Sequence, residues 1–172
     1  MKAIFLDRDG TVNIDKNYVY KIEDFELIPK TIEALKNFQN KGYLIFIITN
    51  QSGIGRGYYK DDDFHKLNNH MLKVFSDNNI KITKTYYCPH VAKDNCECRK
   101  PNTKFITDAA KEFKIKVKES FMIGDKTADI KMGENAGLKT VLVMTGKSGK
   151  DGEFNATPTF TSKDLYEASL IV

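Results

Sequence analysis

Three polar segments that lie far apart in the chain each follow a short apolar run. The polar segments are Asp7–Thr11, Thr49–Ser52 and Gly124–Asp129, and the apolar runs before them are Ala3–Leu6, Leu44–Ile48 and Phe121–Ile123. Runs of this length and composition are typical of buried strands in a parallel sheet. Because the carboxyl ends of parallel strands meet at one edge of the sheet, we expect the polar side chains to gather there, where such folds bind ligands. The sequence thus predicts a pocket lined by carboxylates.

The residues of this pocket suit metal-assisted phosphoryl transfer. Asp7 and Asp9 are two residues apart on extended chain, which directs both side chains to one side, about 6.6 Å apart. These two carboxylates and Asp125 would repel one another without a cation between them, and hard oxygen ligands suit Mg²⁺. Thr49 adds a hydroxyl and Lys100 adds a positive charge. Phosphoryl transfer through an aspartyl-phosphate needs these groups. The alternative is that the aspartates only form turns and cap helices.

All three cysteines of the chain lie within one short segment and share it with a histidine. The four side chains are Cys88, His90, Cys96 and Cys98. Three thiolates and one imidazole at this spacing are typical of a compact tetrahedral Zn²⁺ site. Four protein ligands leave no open position for water, so the zinc would be structural. The alternative is three reduced loop cysteines beside an unrelated histidine. A loop held by zinc would also fix the direction of Arg99 and Lys100. Without that loop, the sequence would predict only that these two residues are solvated on the surface.

At these residues the sequence resembles the haloacid dehalogenase superfamily of aspartate-nucleophile phosphatases, whose first motif has the form D-x-D-G-T. Within it, the chain resembles the bacterial D-glycero-D-manno-heptose 1,7-bisphosphate phosphatases and also the histidinol-phosphate phosphatases. The matching segments are Phe5–Asn13, Thr49–Gly57, Cys88–His90, Cys96–Pro101 and Gly124–Lys126. The resemblance extends from residue 3 to about residue 146.

The resemblance implies a role for each catalytic residue. It implies that Asp7 attacks phosphorus and that Asp9 first protonates the leaving oxygen and then activates the hydrolytic water. It implies that Thr49 and Lys100 stabilise the phosphoryl oxygens. Mg²⁺ would be held by the carboxylates of Asp7 and Asp125 and by the main-chain carbonyl of Asp9, with Asp129 in a supporting position. In the resembled family the metal of the cysteine loop is structural.

The resemblance also implies which residues contact the substrate. The loop after the first motif would contact the sugar, and Arg99 and Lys126 would bind the sugar or its second phosphate. The complete set of predicted substrate-binding residues is Asp15, Lys16, Asn17, Tyr18, Asn50, Gln51, Ser52, Arg99 and Lys126. We expect loss of the C7 phosphate of a heptose 1,7-bisphosphate, a step towards nucleotide-activated heptose and lipopolysaccharide.

Two observations bear on the choice between the two substrate classes. Ser52 and Arg56 stand where histidinol-phosphate enzymes commonly show Gln-Asp-Gly, which favours the sugar. The five-residue gap between His90 and Cys96 resembles the histidinol-phosphate type instead. Histidinol-phosphate hydrolysis is therefore the alternative activity. A zinc-loop adaptor is the non-enzymatic alternative, although an adaptor would not need the aspartates and Thr49 together.

Strands and helices alternate along the chain. The pattern predicts helices over Thr31–Lys41, Asp61–Asp77, Lys104–Phe113, Thr127–Ala136 and about Asp164–Ser169, with further strands over Ile82–Tyr87 and Thr140–Met144. This order predicts an α/β fold: a Rossmann-like parallel sheet flanked by helices, formed by residues 1–172 as one domain. The stretch after the first motif and the cysteine segment are too short to fold as cap domains. We therefore expect a capless phosphatase fold with a short zinc-binding loop.

Composition limits the remaining classes of function. The chain has 172 residues, 41% hydrophobic and 29% charged, with a net charge of +4. The lysines are spread along the whole chain, which favours steering of an anionic small molecule over nucleic-acid binding. No apolar run approaches the roughly 20 residues of a membrane span. We therefore expect a cytoplasmic monomer without nucleic-acid or membrane partners.

Thr145–Ser148 resembles the end of a nucleotide-binding P-loop. A P-loop also needs a glycine five residues before Gly146, and that position holds Val141, so the pattern does not predict a P-loop.

Overall fold

The computed structural model describes residues 1–172, which form one six-stranded sheet with helices on both faces. The strands are β1 (Ala3–Leu6), β2 (Leu44–Asn50), β3 (Lys84–Cys88), β4 (Phe121–Gly124), β5 (Lys139–Val143) and β6 (Phe160–Ser162). Their spatial order is β3-β2-β1-β4-β5-β6, and every neighbouring pair is parallel. The predicted parallel α/β fold is confirmed.

The helices are α1 (Thr31–Asn40), α2 (Ser52–Gly55), α3 (Asp61–Asp77), α4 (Lys104–Phe113), α5 (Thr127–Ala136) and α6 (Leu165–Ile171). Buried residues of α1, α3 and α6 pack on one face of the sheet, and those of α4 and α5 pack on the other. No helix of the protein has the length and apolarity needed to cross a membrane.

The two cores follow from the alternation of side chains along each strand. In β1, Ile4 and Leu6 belong to the core beneath α1, whereas Ala3 and Phe5 belong to the core beneath α4. Phe5 stacks on Phe46 of the neighbouring strand at 5.1 Å between ring centroids. Because both faces are covered, the strands read as continuous apolar runs. The runs that the sequence singled out are therefore the centre of the sheet.

Several predicted boundaries differ from the structure. Strand β3 begins at Lys84 and not at Ile82, and β5 begins at Lys139 and ends at Val143. The sequence interpretation omitted β6, which has only three residues, two of them exposed, and therefore no apolar period. It also omitted α2, whose sequence is Ser-Gly-Ile-Gly. Two glycines in four residues oppose a helix, so its tertiary contacts maintain it.

The strand order places the site. Strands β2 and β3 extend the sheet on one side of β1, and β4 extends it on the other. Successive strands are thus added on opposite sides of β1, and the carboxyl ends of β1 and β4 at this switch in strand order form a crevice. Asp7 follows β1 and Asp125 follows β4, so the two aspartates lie on either side of this crevice.

Candidate active site

Asp7 is a buried carboxylate between two lysines. Its side chain is 3% exposed, with the Lys100 Nζ 2.7 Å from Oδ1 and the Lys126 Nζ 3.8 Å from Oδ2. The main-chain amide of Arg8 donates to Oδ1 at 2.7 Å. Burial alone would raise the pKa of Asp7, but the attraction of Lys100 and Lys126 outweighs it and holds the pKa below its ordinary value. Asp7 is therefore ionised at neutral pH, as a nucleophile must be.

Lys100 is anchored at both its side chain and its backbone. Its Nζ lies 2.7 Å from Asp7 and 2.6 Å from Asp129, and it donates to the carbonyl of Ile48 at 3.1 Å. Its main-chain amide donates to Asn50 Oδ1 at 3.1 Å, and Asn50 Nδ2 donates to its carbonyl at 3.4 Å. Burial lowers the pKa of Lys100, but Asp129 and Asp7 raise it above the ordinary value. Asn50 thus contacts Lys100 and also lines the pocket.

Three carboxylates converge beside Lys100 with the geometry of a cation site. One oxygen each from Asp7, Asp125 and Asp129 lies within 4.8 Å of the others. Asp7 Oδ2 is buried without a hydrogen-bond partner. Burial and the charge of Asp7 raise the pKa of Asp125 to about 7 and the pKa of Asp129 to about 6. Crowded acidic oxygens, one of them unpartnered, are the donor set that Mg²⁺ prefers. The Asp9 carboxylate is not part of this cluster.

Two glycines allow the carboxylates to approach. Gly10 has a φ of +91°, and a Cβ at this position would lie 2.5 Å from Asp125 Oδ2. A Cβ at Gly124 would lie 2.3 Å from Asp129 Oδ2. Asp129 also accepts a hydrogen bond from the Lys126 amide at 3.0 Å, which caps the first turn of α5. A side chain at either glycine would therefore collide with the carboxylate of Asp125 or Asp129.

Asp9 is held by a separate set of donors. Arg8 forms two hydrogen bonds to Oδ1 and one to Oδ2 at 2.9 to 3.2 Å. Asn13 Nδ2 donates to Oδ1 at 3.0 Å, and Gln51 Nε2 donates to Oδ2 at 3.1 Å and to Thr49 Oγ1 at 2.8 Å. This network fixes the Asp9 carboxylate and leaves the Thr49 proton available for a ligand oxygen. Sequence reasoning missed Arg8 and Asn13, because only the folded turn brings them to Asp9.

Two adjoining cavities open above these residues. A cavity of ≈ 140 Å³ is lined by Asp7, Asp9, Thr49, Asn50, Ser52, Arg99, Lys100, Lys126, Ala128, Asp129 and Glu153. A second cavity of ≈ 190 Å³ is lined by Asp9, Asp15, Asn17, Tyr18, Asn50, Gln51, Ser52, Tyr59 and Lys126. Most predicted site residues therefore meet in one place. Lys16 lines neither cavity, and its Nζ instead pairs with Glu26 at 3.1 Å on the surface.

The loop at the second cavity has an unusual backbone. Asn17 and Tyr18 have φ values of 59° and 58°, in the left-handed region that non-glycine residues rarely adopt. The Asn17 amide donates to Asp15 Oδ1 at 2.9 Å, which stabilises the turn. Tyr18 is 42% exposed and contacts the ring of Tyr58 edge-on at 4.9 Å. An exposed aromatic ring therefore borders the cavity that Asp9 also lines.

The cysteine segment forms a compact cluster. The three Sγ atoms are 3.1 to 3.5 Å apart, and His90 Nδ1 lies 3.3 Å from Cys98 and 3.6 Å from Cys88. Burial raises the pKa of Cys88, whereas hydrogen bonds from Cys88 and the Arg99 amide outweigh burial and lower the pKa of Cys96 to about 7. Tetrahedral zinc with Zn–S bonds of about 2.3 Å separates its sulfurs by about 3.8 Å, close to this spacing. The donor set therefore fits Zn²⁺.

A larger cavity lies away from this chemistry. It measures ≈ 950 Å³, and its lining includes Tyr43, Leu44, Ile82 and Phe113, near the amino ends of β2 and β3. Its lining contains no carboxylate, histidine or cysteine. Size alone therefore does not identify the site, and the convergent ionisable groups do.

Comparison with known proteins agrees with this geometry. The HAD-hydrolase-like family profile matches residues 97–168. The chain is 50% identical to the D-glycero-alpha-D-manno-heptose-1,7-bisphosphate 7-phosphatase of Campylobacter jejuni, over 89% of this chain and 87% of that protein. It is 44% identical to the D-glycero-beta-D-manno-heptose-1,7-bisphosphate 7-phosphatase of Haemophilus influenzae, over 85% of this chain and 83% of that protein.

A solved structure gives the same result. The D,D-heptose 1,7-bisphosphate phosphatase of B. bronchiseptica, crystallised with magnesium and phosphate, superposes with a TM-score of 0.89 at 26% identity, over 99% of this chain and 97% of that one. The expected fold and enzyme class are confirmed. The chain belongs to the D-glycero-D-manno-heptose-1,7-bisphosphate 7-phosphatase family of haloacid dehalogenase-like hydrolases.

Proposed function

We propose that this protein hydrolyses the C7 phosphate of D-glycero-D-manno-heptose 1,7-bisphosphate and releases heptose 1-phosphate and inorganic phosphate. The observation that carries the proposal is the Asp7 carboxylate, which is buried and ionised next to Lys100 in a cavity that also holds Asp9. The relatives named above bear this activity in their names. The remaining anomeric phosphate would suit later activation by nucleotide transfer.

The reaction proceeds in two displacements. A carboxylate oxygen of Asp7 forms a bond to phosphorus while the bond between phosphorus and the C7 oxygen breaks, and Asp9 gives its proton to that oxygen. A water molecule then attacks phosphorus, Asp9 takes up a proton from the water, and the Asp7 carboxylate is released. The network from Arg8, Asn13 and Gln51 keeps the Asp9 carboxyl group in one orientation for both proton transfers.

Positive groups of the site offset the repulsion between the carboxylate and the phosphate. Two unit charges about 4 Å apart repel by roughly 1 to 4 kcal/mol, depending on the remaining water. Lys100 and the hydroxyl of Thr49 bind the phosphoryl oxygens. The Asp7 and Asp125 carboxylates and the Asp9 carbonyl would hold Mg²⁺. The bound metal would neutralise negative charge on the phosphoryl group. Asp129, ion-paired with Lys100 and hydrogen-bonded to the amide that begins α5, supports these ligands.

The cysteine cluster would hold a structural Zn²⁺ and so order the loop that carries Arg99 and Lys100. Arg99 donates to the carbonyl of the ligand residue His90 at 3.3 Å, which directs it along this loop. Lys100 is additionally tied to Asn50 of β2. Zinc therefore acts mainly on the position of Arg99, while Lys100 has a second anchor in the sheet.

The second cavity would receive the sugar. Asp15, Asn17, Tyr18 and Ser52 offer hydrogen-bonding groups and an aromatic face. Lys126 of this cavity and Arg99 of the adjoining first cavity offer charge for the anomeric phosphate. Lys126 also lies within 3.8 Å of Asp7, so it serves the transferred phosphate as well. That the protein is located in the cytoplasm and acts as a monomer remains a prediction.

The substrate is tested by a direct comparison of kcat/KM. Both anomers of the heptose 1,7-bisphosphate and histidinol phosphate are assayed with the same Mg²⁺-loaded protein, and phosphorus NMR identifies which phosphate remains. We expect a heptose bisphosphate to have the highest kcat/KM and its C1 phosphate to remain. A higher kcat/KM for histidinol phosphate would show that the proposed sugar substrate is wrong and that the substrate is the amino-alcohol phosphate.

A further inference from the structure

The loop after β5, residues 145–149, packs directly on the proposed metal ligand Asp125. The Lys147 amide donates to Asp125 Oδ2 at 2.7 Å, and the Gly149 amide donates to the Asp125 carbonyl at 2.7 Å. Thr145 Oγ1 donates to the carbonyl of Gly10 at 2.6 Å, which ties the loop to the first motif. This is the segment that resembles part of a P-loop in sequence. In the fold the Lys147 amide of this segment donates to a carboxylate, and the Gly149 amide donates to a main-chain carbonyl.

Gly146 makes this contact possible. Its φ is +53°, and a Cβ would lie 2.2 Å from Asp125 Oδ2 and 2.8 Å from the Cα of Gly10. Gly10 approaches the same carboxylate so closely that its own Cβ would lie 2.5 Å from Oδ2. The carboxylate of Asp125 is thus enclosed by two glycines. Any side chain at Gly146 has to displace the carboxylate, because the other near neighbour is backbone.

Hydrogen bonds reach both oxygens of the Asp125 carboxylate. Oδ2 accepts from the Lys147 amide, and the side-chain donor to Oδ1 is Thr11, at a long 3.4 Å. One oxygen of this carboxylate lies within 4.8 Å of oxygens from Asp7 and Asp129, so the carboxylate that the loop holds belongs to the acidic cluster. Groups that orient a metal ligand in this way commonly change metal affinity 10- to 100-fold when removed.

We propose that the 145–149 loop positions Asp125 for Mg²⁺, with Gly146 and Thr145 as its positioning residues. The inference rests on the proposed role of Asp125 as a magnesium ligand. The loop sets the distance and rotation of the Asp125 carboxylate before the metal arrives. It joins β5 to the first motif and contributes no ligand of its own.

Two matched pairs of variants test the proposal by isothermal titration calorimetry, in which Mg²⁺ is added to protein that contains zinc but no magnesium. Gly146→Ala is compared with Gly42→Ala, because Gly42 also has a positive φ, +79°, but nothing lies within 4 Å of its Cβ. Thr145→Val is compared with Thr145→Ser, which keeps the hydroxyl. We expect Gly146→Ala to weaken Mg²⁺ binding about tenfold or more and Thr145→Val by several fold. Gly42→Ala and Thr145→Ser should stay within about twofold of the unsubstituted protein.

The outcomes separate this inference from the proposed function. If the unsubstituted protein does not bind Mg²⁺, the proposed magnesium role of Asp125 fails. If it binds Mg²⁺ and Gly146→Ala or Thr145→Val binds equally well, the positioning role of the loop is wrong while the proposed function stands. Thermal unfolding of each variant without magnesium checks that it is folded. If Gly146→Ala does not fold, the comparison of Thr145→Val with Thr145→Ser tests the positioning role of the loop.

Discussion

Replacement of Lys100 by methionine tests the electrostatics of the site. Lys100 Nζ lies 2.7 Å from Asp7 and 2.6 Å from Asp129, and all three side chains are at most 3% exposed. Methionine keeps most of the volume of lysine and removes its charge. Lys100→Met therefore removes the cation that lies between the buried Asp7 and Asp129 carboxylates, and only Lys126, 3.8 Å from Asp7, remains nearby.

The expected cost follows from these distances. At 2.7 Å and an effective dielectric constant of about 20, one such pair attracts by about 6 kcal/mol before desolvation. The loss of one partner from a buried pair costs about 3 to 5 kcal/mol of unfolding free energy after that offset. For a chain of this size we expect the Lys100→Met protein, without Mg²⁺, to melt about 6 to 20 °C below the unsubstituted protein.

A surface lysine provides the control. Lys66 Nζ lies 3.8 Å from Asp63, with side chains 72% and 34% exposed. An exposed pair contributes only about 0 to 1 kcal/mol, so Lys66→Met should be nearly neutral. The unfolding free energies are measured with urea at pH 8 in the presence of a chelator for Mg²⁺. If Lys100→Met unfolds at the same urea concentration as Lys66→Met, the buried ion pairs described above do not exist in solution.

Three further predictions concern the metals and the substrate. Purified protein should contain one zinc per chain by elemental analysis, and Cys98→Ser should lose both the zinc and most of the activity; full activity without zinc would contradict the role of the loop. Mg²⁺ affinity should rise between pH 6 and pH 8, because the pKa of Asp125 is about 7 and its proton must leave before the metal binds; a pH-independent affinity in calorimetry would contradict this linkage. Arg99→Ala should lower kcat/KM for the heptose bisphosphate about tenfold or more relative to a simple phosphate ester, since a contact to a charged group contributes roughly 1.5 to 3 kcal/mol; equal losses on both substrates would exclude a role in recognising the second phosphate.

The sequence predicted the elements whose signals are local. The apolar runs before Asp7, Thr49 and Asp125 are strands, and the helical spacing of α3 is correct because its apolar face is buried. Cys88, His90, Cys96 and Cys98 also come together as their spacing indicates. These features depend on neighbours in the chain, and local composition therefore carries them.

Other features depend on contacts that no local pattern encodes. Arg8 reaches Asp9 because the first motif folds into a turn beneath Val19, whose carbonyl accepts from Arg8 at 2.7 Å. Asn50 reaches the backbone of Lys100 across fifty residues of sequence. The close approach of Gly146 to Asp125 is visible only once β4 and β5 are paired. The sequence shows a glycine at position 146 and an aspartate at position 129, but not the contacts that either residue makes.

The central claim, that Asp7 carries the phosphoryl group, is tested most directly by trapping the intermediate. The protein is mixed with substrate, quenched in acid and treated with borohydride, which reduces an acyl phosphate to the alcohol. Peptide mass spectrometry then identifies the modified residue, with Asp7→Asn as the control. The account predicts homoserine at position 7 only when substrate was present. Rapid turnover without any modification at position 7 would contradict it.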